Sequence, residues 1–450
     1  MRRRPRQSTT QPGFAPAAEL TAAIAPAVVH AVVQERRRLA PAIASALKDR
    51  PRVRDLKDRG GITRSLRALL RWWGWIETLH LRRAEEQLLL ASLLDLPEVS
   101  AFGRVWAARI ARPVDRLVPV GDAPGWTGRA EGLKRWLGVQ AVNADPWRLF
   151  PAWMRDHVPI PPGEATPKVR RLDLLAALQT RSPSWVAVRG GDPKAIWNEL
   201  REAELKPWIH RRVVSAAKLP PETDLASIES FESGRLVIQD LASQAVGLVC
   251  DPDPGERWWD VRGEVDGGLV ALHLAALMGG KGSVVCTFDA ERRRHEAALR
   301  LRRSAFHNVT TKLREGQHPV GKAASFDGVV VEPPSSGTGT WRRHPDARWS
   351  VAAEDIPRLA AEQLRLLDVA STRIKPGGTL VYTVPTLTRA ETSGVIEAFL
   401  EQHGGYQLQP FPHPLEDTTT GGTVTIWPHL HDGDGRFIAR MIRTTSPAGA

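Results

Sequence analysis

Cysteine is nearly absent from this chain: of 450 residues only Cys250 and Cys286 carry a thiol. Two thiols exclude a disulfide framework and a cysteine-rich zinc site, and a reducing cytoplasm is the compartment they fit. No metal site is expected. Long, clean apolar runs are missing too. The stretch from Ala15 to Val33 is broken by Glu19, Pro26 and His30. It predicts a helix or two rather than a membrane span or a signal peptide. The arginines Arg2, Arg3, Arg4 and Arg6 do not complete a twin-arginine export signal, although residues 1–18 are acid-poor enough to leave a transit peptide open. No repeat recurs at solenoid periods. Acid is also short: 50 Asp and Glu stand against 62 Lys and Arg, a formal net charge of +12. That excess favours a polyanionic partner, nucleic acid before others, over a membrane. A monomer is expected.

What is present is enough chain for two or three cores. Residues 1–18 are basic and proline-containing and are expected to be a disordered arm. Residues 19–125 read as helices, with Leu66, Leu69, Leu70, Trp73 and Ile76 at helical spacing. Residues 126–165 are rich in Gly, Pro, Asp and Trp and predict a linker around a short helix at Ala130–Leu137. Residues 166–230 alternate helical and strand-like pieces, a small α/β subdomain with a strand at Trp185–Val188 and a helix at Ala195–Ala203. Residues 231–445 turn βαβα. Strands are expected at Arg257–Val261, Ser283–Phe288, Phe326–Val331 and Thr379–Thr383, and helices at Leu269–Met278, Arg292–Arg303 and Ile356–Ile374. That alternation implies a parallel sheet covered on both faces.

Three stretches carry chemistry. Trp258-Trp259-Asp260 ends a strand and leads through Gly267-Gly268 into a helix, the way a Rossmann-like sheet lets backbone approach a nucleotide. The next strand ends at Asp289, about 20 residues beyond Gly268, where an acid can accept from a ribose diol. A helix cap is the plainer role for Asp289. Phe326–Val331 runs into Glu332-Pro333-Pro334-Ser335-Ser336-Gly337, a loop at the carboxyl end of a strand, where open α/β sheets hold ligands. It continues into Arg342, Arg343, His344 and Arg348, interleaved with Trp341 and Trp349. Arginines beside aromatics suit phosphate contacts and base stacking; a solvated basic loop with core tryptophans is the alternative.

These segments resemble the RsmB-type (Nop/Sun) RNA cytosine-5 methyltransferases. Phe231–Gln244 (FESGRLVIQDLASQ) looks like that family's entry segment. EPPSSGTGTWRRHPDARW resembles its DAPCSGTG…RRHPDIRW. Ile374-Lys375-Pro376-Gly377-Gly378 with TLVYTVPTLTRAETSGVIEAFL resembles its KPGG-LVYSTCSL…EN…V…FL, and TIWPHLHDGDGRFIARMIR resembles its closing strand pair. DRGGITRSLRALLRWWGWI more faintly resembles the NusB-like helical domain that often precedes the catalytic domain. PAWMRDH and SWVAVRG resemble its connector and small RNA-binding subdomain. The resemblance implies an α/β chain: a Rossmann-like class I methyltransferase domain preceded by an all-α NusB-like domain and a small α/β RNA-binding subdomain. It implies S-adenosylmethionine as methyl donor and structured RNA, ribosomal RNA above all, as acceptor. Position by position, Asp260, Gly267, Gly268 and Asp289 would serve the donor. Glu332 and Ser335 would face the acceptor base, and Arg342, Arg343 and Arg348 would meet RNA.

The departures are as specific as the matches. The family's nucleophilic Cys falls at Pro385 and its second Cys at Ser335; its Asp falls at Glu332. Carbon 5 of cytosine becomes nucleophilic only when a thiolate adds to carbon 6, and neither proline nor an unassisted serine supplies that. The family's glycine-loop lysine is absent as well. Three expectations stay open: an RNA-binding ribosome-maturation factor without activity, an amino-methyltransferase using the Glu332-Pro333-Pro334-Ser335 loop, or cytosine-5 transfer through another nucleophile.

Overall fold

The computed structural model describes residues 14–48, 59–121, 123, 125–140, 142–304, 306–314 and 320–445. Residues 1–13 of the expected arm lie outside them, and a helix begins at Ala15. The chain forms two compact units. One takes the residues up to Arg155, Pro162–Arg181 and Trp341–Ala352; the other takes Asp156–Pro161, Ser182–Thr340 and everything from Ala353 on.

The first unit is helical. Its helix Arg59–Ile76 buries Leu66, Leu69, Leu70, Trp72, Trp75 and Ile76. The helix Ala84–Asp95 buries every residue from Leu88 to Leu94. The two are tied by Arg71, whose guanidinium meets Asp95 at 2.7 Å. The helix Ala101–Arg109 starts at Ser100, whose hydroxyl accepts from the Gly103 N–H. The helix Ala15–Val33 is long and apolar enough to cross a membrane by length and composition, yet it buries Ala17, Ala18, Ile24, Val28 and Val32 within this unit. The short helix of the expected linker runs Gly125–Leu137.

The second unit holds two main sheets. A small antiparallel one has the order β2-β3-β1-β4, with β1 Ser184–Val188, β2 Trp208–Ile209, β3 Ala216–Leu219 and β4 Leu236–Ile238. The large sheet contains β5 Arg257–Asp260, β6 Ser283–Phe288, β7 Val309–Leu313, β8 Phe326–Val331, β9 Ile374–Val384 and β10 Tyr406–Leu408. A two-stranded ribbon follows, β11 Phe411–Pro412 and β12 Thr419–Thr420. Then β13 Thr423–Ile426 and β14 Arg436–Arg443 return to the large sheet. Its order is β10-β14-β9-β8-β5-β6-β7, with β13 paired to β14. From β9 to β7 the neighbours are parallel, and β14 and β10 join antiparallel. The central strands are buried almost end to end, as strands covered by helices on both faces must be. Strand order reverses between β5 and β8, so a crevice opens outside their carboxyl ends, at Asp260 and Glu332.

Candidate functional site

The loop after β5 turns through Gly267 and Gly268, both left-handed (φ 75° and 81°). That conformation is cheap only for glycine. Gly268 is the N-cap of the helix Leu269–Leu277. The cap oxygens come from Asp266: one accepts from the Gly268 and Leu269 N–H groups at 2.9 and 3.1 Å, the other from Val270 at 2.5 Å. Asp260 ends the strand 3% exposed, with the Cys286 Sγ 3.3 Å from its carboxylate. Burial, then the charge of Asp266, holds Asp260 well above the usual carboxyl range. Burial, then the charge of Glu332, raises Asp266 to about 7. Burial also raises Glu264 to about 7, against the nearby Arg262. Three carboxyls with raised values lie near one another here, so a ligand that brings a cation would favour their ionised forms. Asp289, at the end of β6, has one carboxylate oxygen on Arg262 at 2.9 Å and the other on Arg314. Those pairs orient it, and it remains 39% exposed.

On the acceptor side, β8 delivers Glu332 into a buried ion pair with Arg436 at 2.7 Å, their side chains 5% and 6% exposed. Arg436 also donates to the Thr383 and Ser243 hydroxyls, each at 3.2 Å. The following loop is pinned by Glu391. Its buried carboxylate accepts from the Ser336 amide at 2.8 Å and from the hydroxyls of Ser336, Thr386 and Thr388 and the amide of Gln363. Pro385 is buried after β9, and its carbonyl accepts from the Gly339 N–H at 3.1 Å. Gly339 in turn lies against Gly435, where an added Cβ would fall 1.9 Å from the Gly435 carbonyl oxygen. Ser335 is half-buried at the turn.

The fold therefore brings Asp260, Gly267, Gly268, Asp289, Glu332, Ser335 and Pro385 to the carboxyl edge of one sheet. Cys250 and Cys286 are both buried and free. Burial pushes each thiol up, far from an ionised nucleophile. The arginines after the loop have a different setting from the one the sequence suggests. Trp341–Ala352 belongs to the helical unit. There Arg348 is 0% exposed. It donates to the carbonyls of Leu149 (2.9 Å), Leu178 (3.2 Å) and Trp341 (3.3 Å) and to the Gln179 side chain (2.8 Å). Arg342 is buried, with a guanidinium nitrogen 3.3 Å from the Arg181 carbonyl, and Arg343 is half-buried. An arginine enclosed by carbonyls binds its own protein's interior, so Arg348 is not an exposed RNA contact.

Sequence reasoning missed Asp266, Arg262, Glu391 and Arg436. Only Asp266 had a local signal: an acid two residues before the glycine that opens a helix. One further cluster has metal-like composition. Ligand atoms of His413, Glu416 and His431 lie within 4.8 Å of one another. However, the Nδ1 of His413 accepts the Leu415 N–H at 3.1 Å, so the neutral ring keeps its proton on Nε2 and has no lone pair there for a metal.

Residues 248–442 match the family described as 16S rRNA methyltransferase RsmB/F. Ribosomal RNA small subunit methyltransferase B of Thermus thermophilus is 35% identical over 228 residues, 51% of this chain and 54% of that protein. The chain thus spans about half the length of that curated relative. Among solved structures, PH0851 is similar over 94% of this chain and 98% of its own, with TM-score 0.69 and 21% identity. A methyltransferase homologue protein from Pyrococcus horikoshii covers 61% of this chain and 90% of its own, with TM-score 0.53 and 23% identity. At these identities the structural likeness speaks for the fold, a Rossmann-like α/β unit with a helical N-terminal region.

Proposed function

We propose, for a chain whose residues 248–442 match the 16S rRNA methyltransferase RsmB/F family, that the protein binds S-adenosylmethionine and structured RNA, ribosomal RNA first, and does not methylate cytosine carbon 5 by thiol addition. It would do so as a cytoplasmic monomer. The observation that carries this reading is the pair Ser335 and Pro385 at the acceptor edge, with both thiols buried elsewhere. Proline has no nucleophile. The buried carboxylates at the loop are committed away from Ser335: Glu391 accepts from Ser336, Thr386, Thr388 and Gln363, and Glu332 pairs with Arg436. A serine hydroxyl without a base is a poor nucleophile.

The donor pocket fits its implied ligand by charge. Bound S-adenosylmethionine supplies a methyl group on a positively charged sulfonium. Burial raises Asp260, Glu264 and Asp266, so their ionised forms are disfavoured, and a cation placed beside them would favour those forms. Gly267 and Gly268 let the backbone close on it, and Asp289 is suited to accept from ribose hydroxyls. The Glu332 carboxylate, paired with Arg436, is an acceptor of hydrogen bonds and suits a base edge that presents N–H. That feature favours a second reading, transfer to an exocyclic amine held by Glu332. The carbonyl of Pro334 cannot assist it freely, because it already accepts from Gln363 at 2.9 Å.

The test is methyl transfer from labelled S-adenosylmethionine to unmodified ribosomal RNA, with the labelled nucleoside identified and donor binding measured by calorimetry. Donor binding without 5-methylcytidine is the expected result. Label in an amine-methylated nucleoside selects the second reading. Label in 5-methylcytidine overturns the proposal, as does a protein that binds neither donor nor RNA.

A further inference from the structure

The helix Glu291–Arg303, between β6 and β7, carries six arginines (Arg292, Arg293, Arg294, Arg300, Arg302, Arg303) against Glu291 and Glu296. Its buried face is narrow, Ala297 and Leu301. Arg292, His295, Leu299, Arg302 and Arg303 are all exposed, and their spacing lines them along one outward stripe of a 3.6-residue helix. From Arg292 to Arg303 that stripe is roughly 16 Å long at 1.5 Å per residue. Some of the charge is used locally. Arg292 pairs with Glu296 at 2.9 Å, Arg294 pairs with Glu291, and Arg300 donates to the Gly267 carbonyl. The guanidinium groups of Arg302 and Arg303 have no hydrogen bond or ion pair among the described residues. Beside the helix, the edge strand β7 exposes Thr310 and Lys312, and Leu313 is 43% exposed.

A helix dipole accounts for arginines in the last turn, where cations are favourable by about 0.3–1 kcal/mol each. It does not account for Arg292, Arg293 and Arg294, which sit in the first turns, where the same dipole disfavours them. A solvated face chosen for solubility does not require arginine over lysine either, and this helix has no lysine. Guanidinium groups bind phosphate through paired donors. An exposed leucine between them, Leu299 at 48%, gives the stripe an apolar surface for a ribose or base face.

We propose that the outward face of Glu291–Arg303, with the edge of β7, is a second RNA-backbone track, separate from the acceptor loop, that holds several phosphates of a bound strand. The inference rests on the reading of the protein as RNA-binding and adds where, on the methyltransferase unit, part of that binding lies. It is tested with the full chain and a fluorescein-labelled RNA hairpin bearing a single-stranded tail, titrated between about 50 and 200 mM salt. The triple variant Arg292→Gln, Arg302→Gln, Arg303→Gln is compared with a charge-matched control at exposed sites elsewhere on the same unit: Lys281→Gln, Lys322→Gln, Arg358→Gln. None of the six touches the donor loop, so calorimetric donor binding and the melting temperature report the fold. The track predicts at least about a tenfold loss of affinity for the first variant. Its slope of log affinity on log salt should be shallower by about 2–3, near 0.7–0.9 per lost phosphate contact. The control should stay within about twofold of the unaltered chain. Unchanged affinity and slope in the first variant overturn the track, and so does an equal loss in the control, which would reflect net charge alone. If the unaltered chain binds no RNA at any salt, the proposed function fails and the track with it.

Discussion

Arg348→Met is the sharpest perturbation of how this molecule is read. Methionine keeps most of the aliphatic volume and removes the guanidinium. Three backbone carbonyls and the Gln179 side chain then lose their donor inside the helical unit, and Phe150 loses the cation 4.5 Å from its ring centre. A buried acceptor left unpaired costs about 1–3 kcal/mol. Four of them, offset by no longer having to desolvate a charge that burial already pushes well below its ordinary pKa, leave a net cost of about 3 kcal/mol. For a unit of this size that lowers its melting temperature by on the order of 10 °C. The assay is thermal unfolding followed by tryptophan fluorescence, since Trp341 and Trp153 pack within 5.8 Å of each other in the same unit, alongside RNA titration of the folded variant below its transition. A melting temperature unchanged within a degree, with RNA affinity down tenfold, would refute the reasoning. Arg348 would then be an RNA contact after all.

Other outcomes follow from the site. Asp266, at about 7 in the folded chain against about 3.9 unfolded, binds its proton more tightly when folded. Its contribution is therefore full below about pH 4 and lost as pH rises toward 7; Asp266→Asn should flatten the melting temperature across pH 5 to 7.5, and parallel curves would refute this. Gly339→Ala forces a Cβ onto the Gly435 carbonyl oxygen and should cost about 1–3 kcal/mol by urea unfolding; a neutral result would mean that the two loops are not in contact. Pro385→Cys restores a thiol after β9 and should trap RNA containing 5-fluorocytidine as a denaturation-resistant adduct when donor is present. No adduct, with donor and RNA still bound, would place position 385 away from the base. Neither Cys250 nor Cys286 should react with a thiol reagent in the folded chain, because both are buried with raised pKa values; rapid labelling of either would contradict that burial.

The central strands were legible because a strand buried on both faces is one unbroken apolar run. Ser283–Phe288 and Phe326–Val331 were read at their observed limits. Asp260, Gly267-Gly268 and Asp289 were legible because strand ends and left-handed glycines are local features. Arg436 was not. Nothing near it in sequence announces that it will neutralise Glu332, 104 positions away. The same holds for Glu391, whose partners are gathered from two loops and the helix Asp355–Ser371. Arg348 shows the harder failure. Arginine beside tryptophan describes a phosphate site and a carbonyl-lined interior equally well, and only the arrival of Leu149, Leu178 and Gln179 around it decides which.

The composition of the helical unit from three separated pieces of chain bears on how the protein is made. Its last piece, Trp341–Ala352, is translated after the first four strands of the large sheet. As the chain emerges from a ribosome, the N-terminal helices must wait for Trp341 and Arg348 before their interior is complete. A gene fragment ending at residue 165 encodes a unit without its central cation, and one beginning at residue 231 carries a buried tryptophan segment with nothing to enclose it. Although its residues come first, the helical unit cannot close until Ala352 has been made.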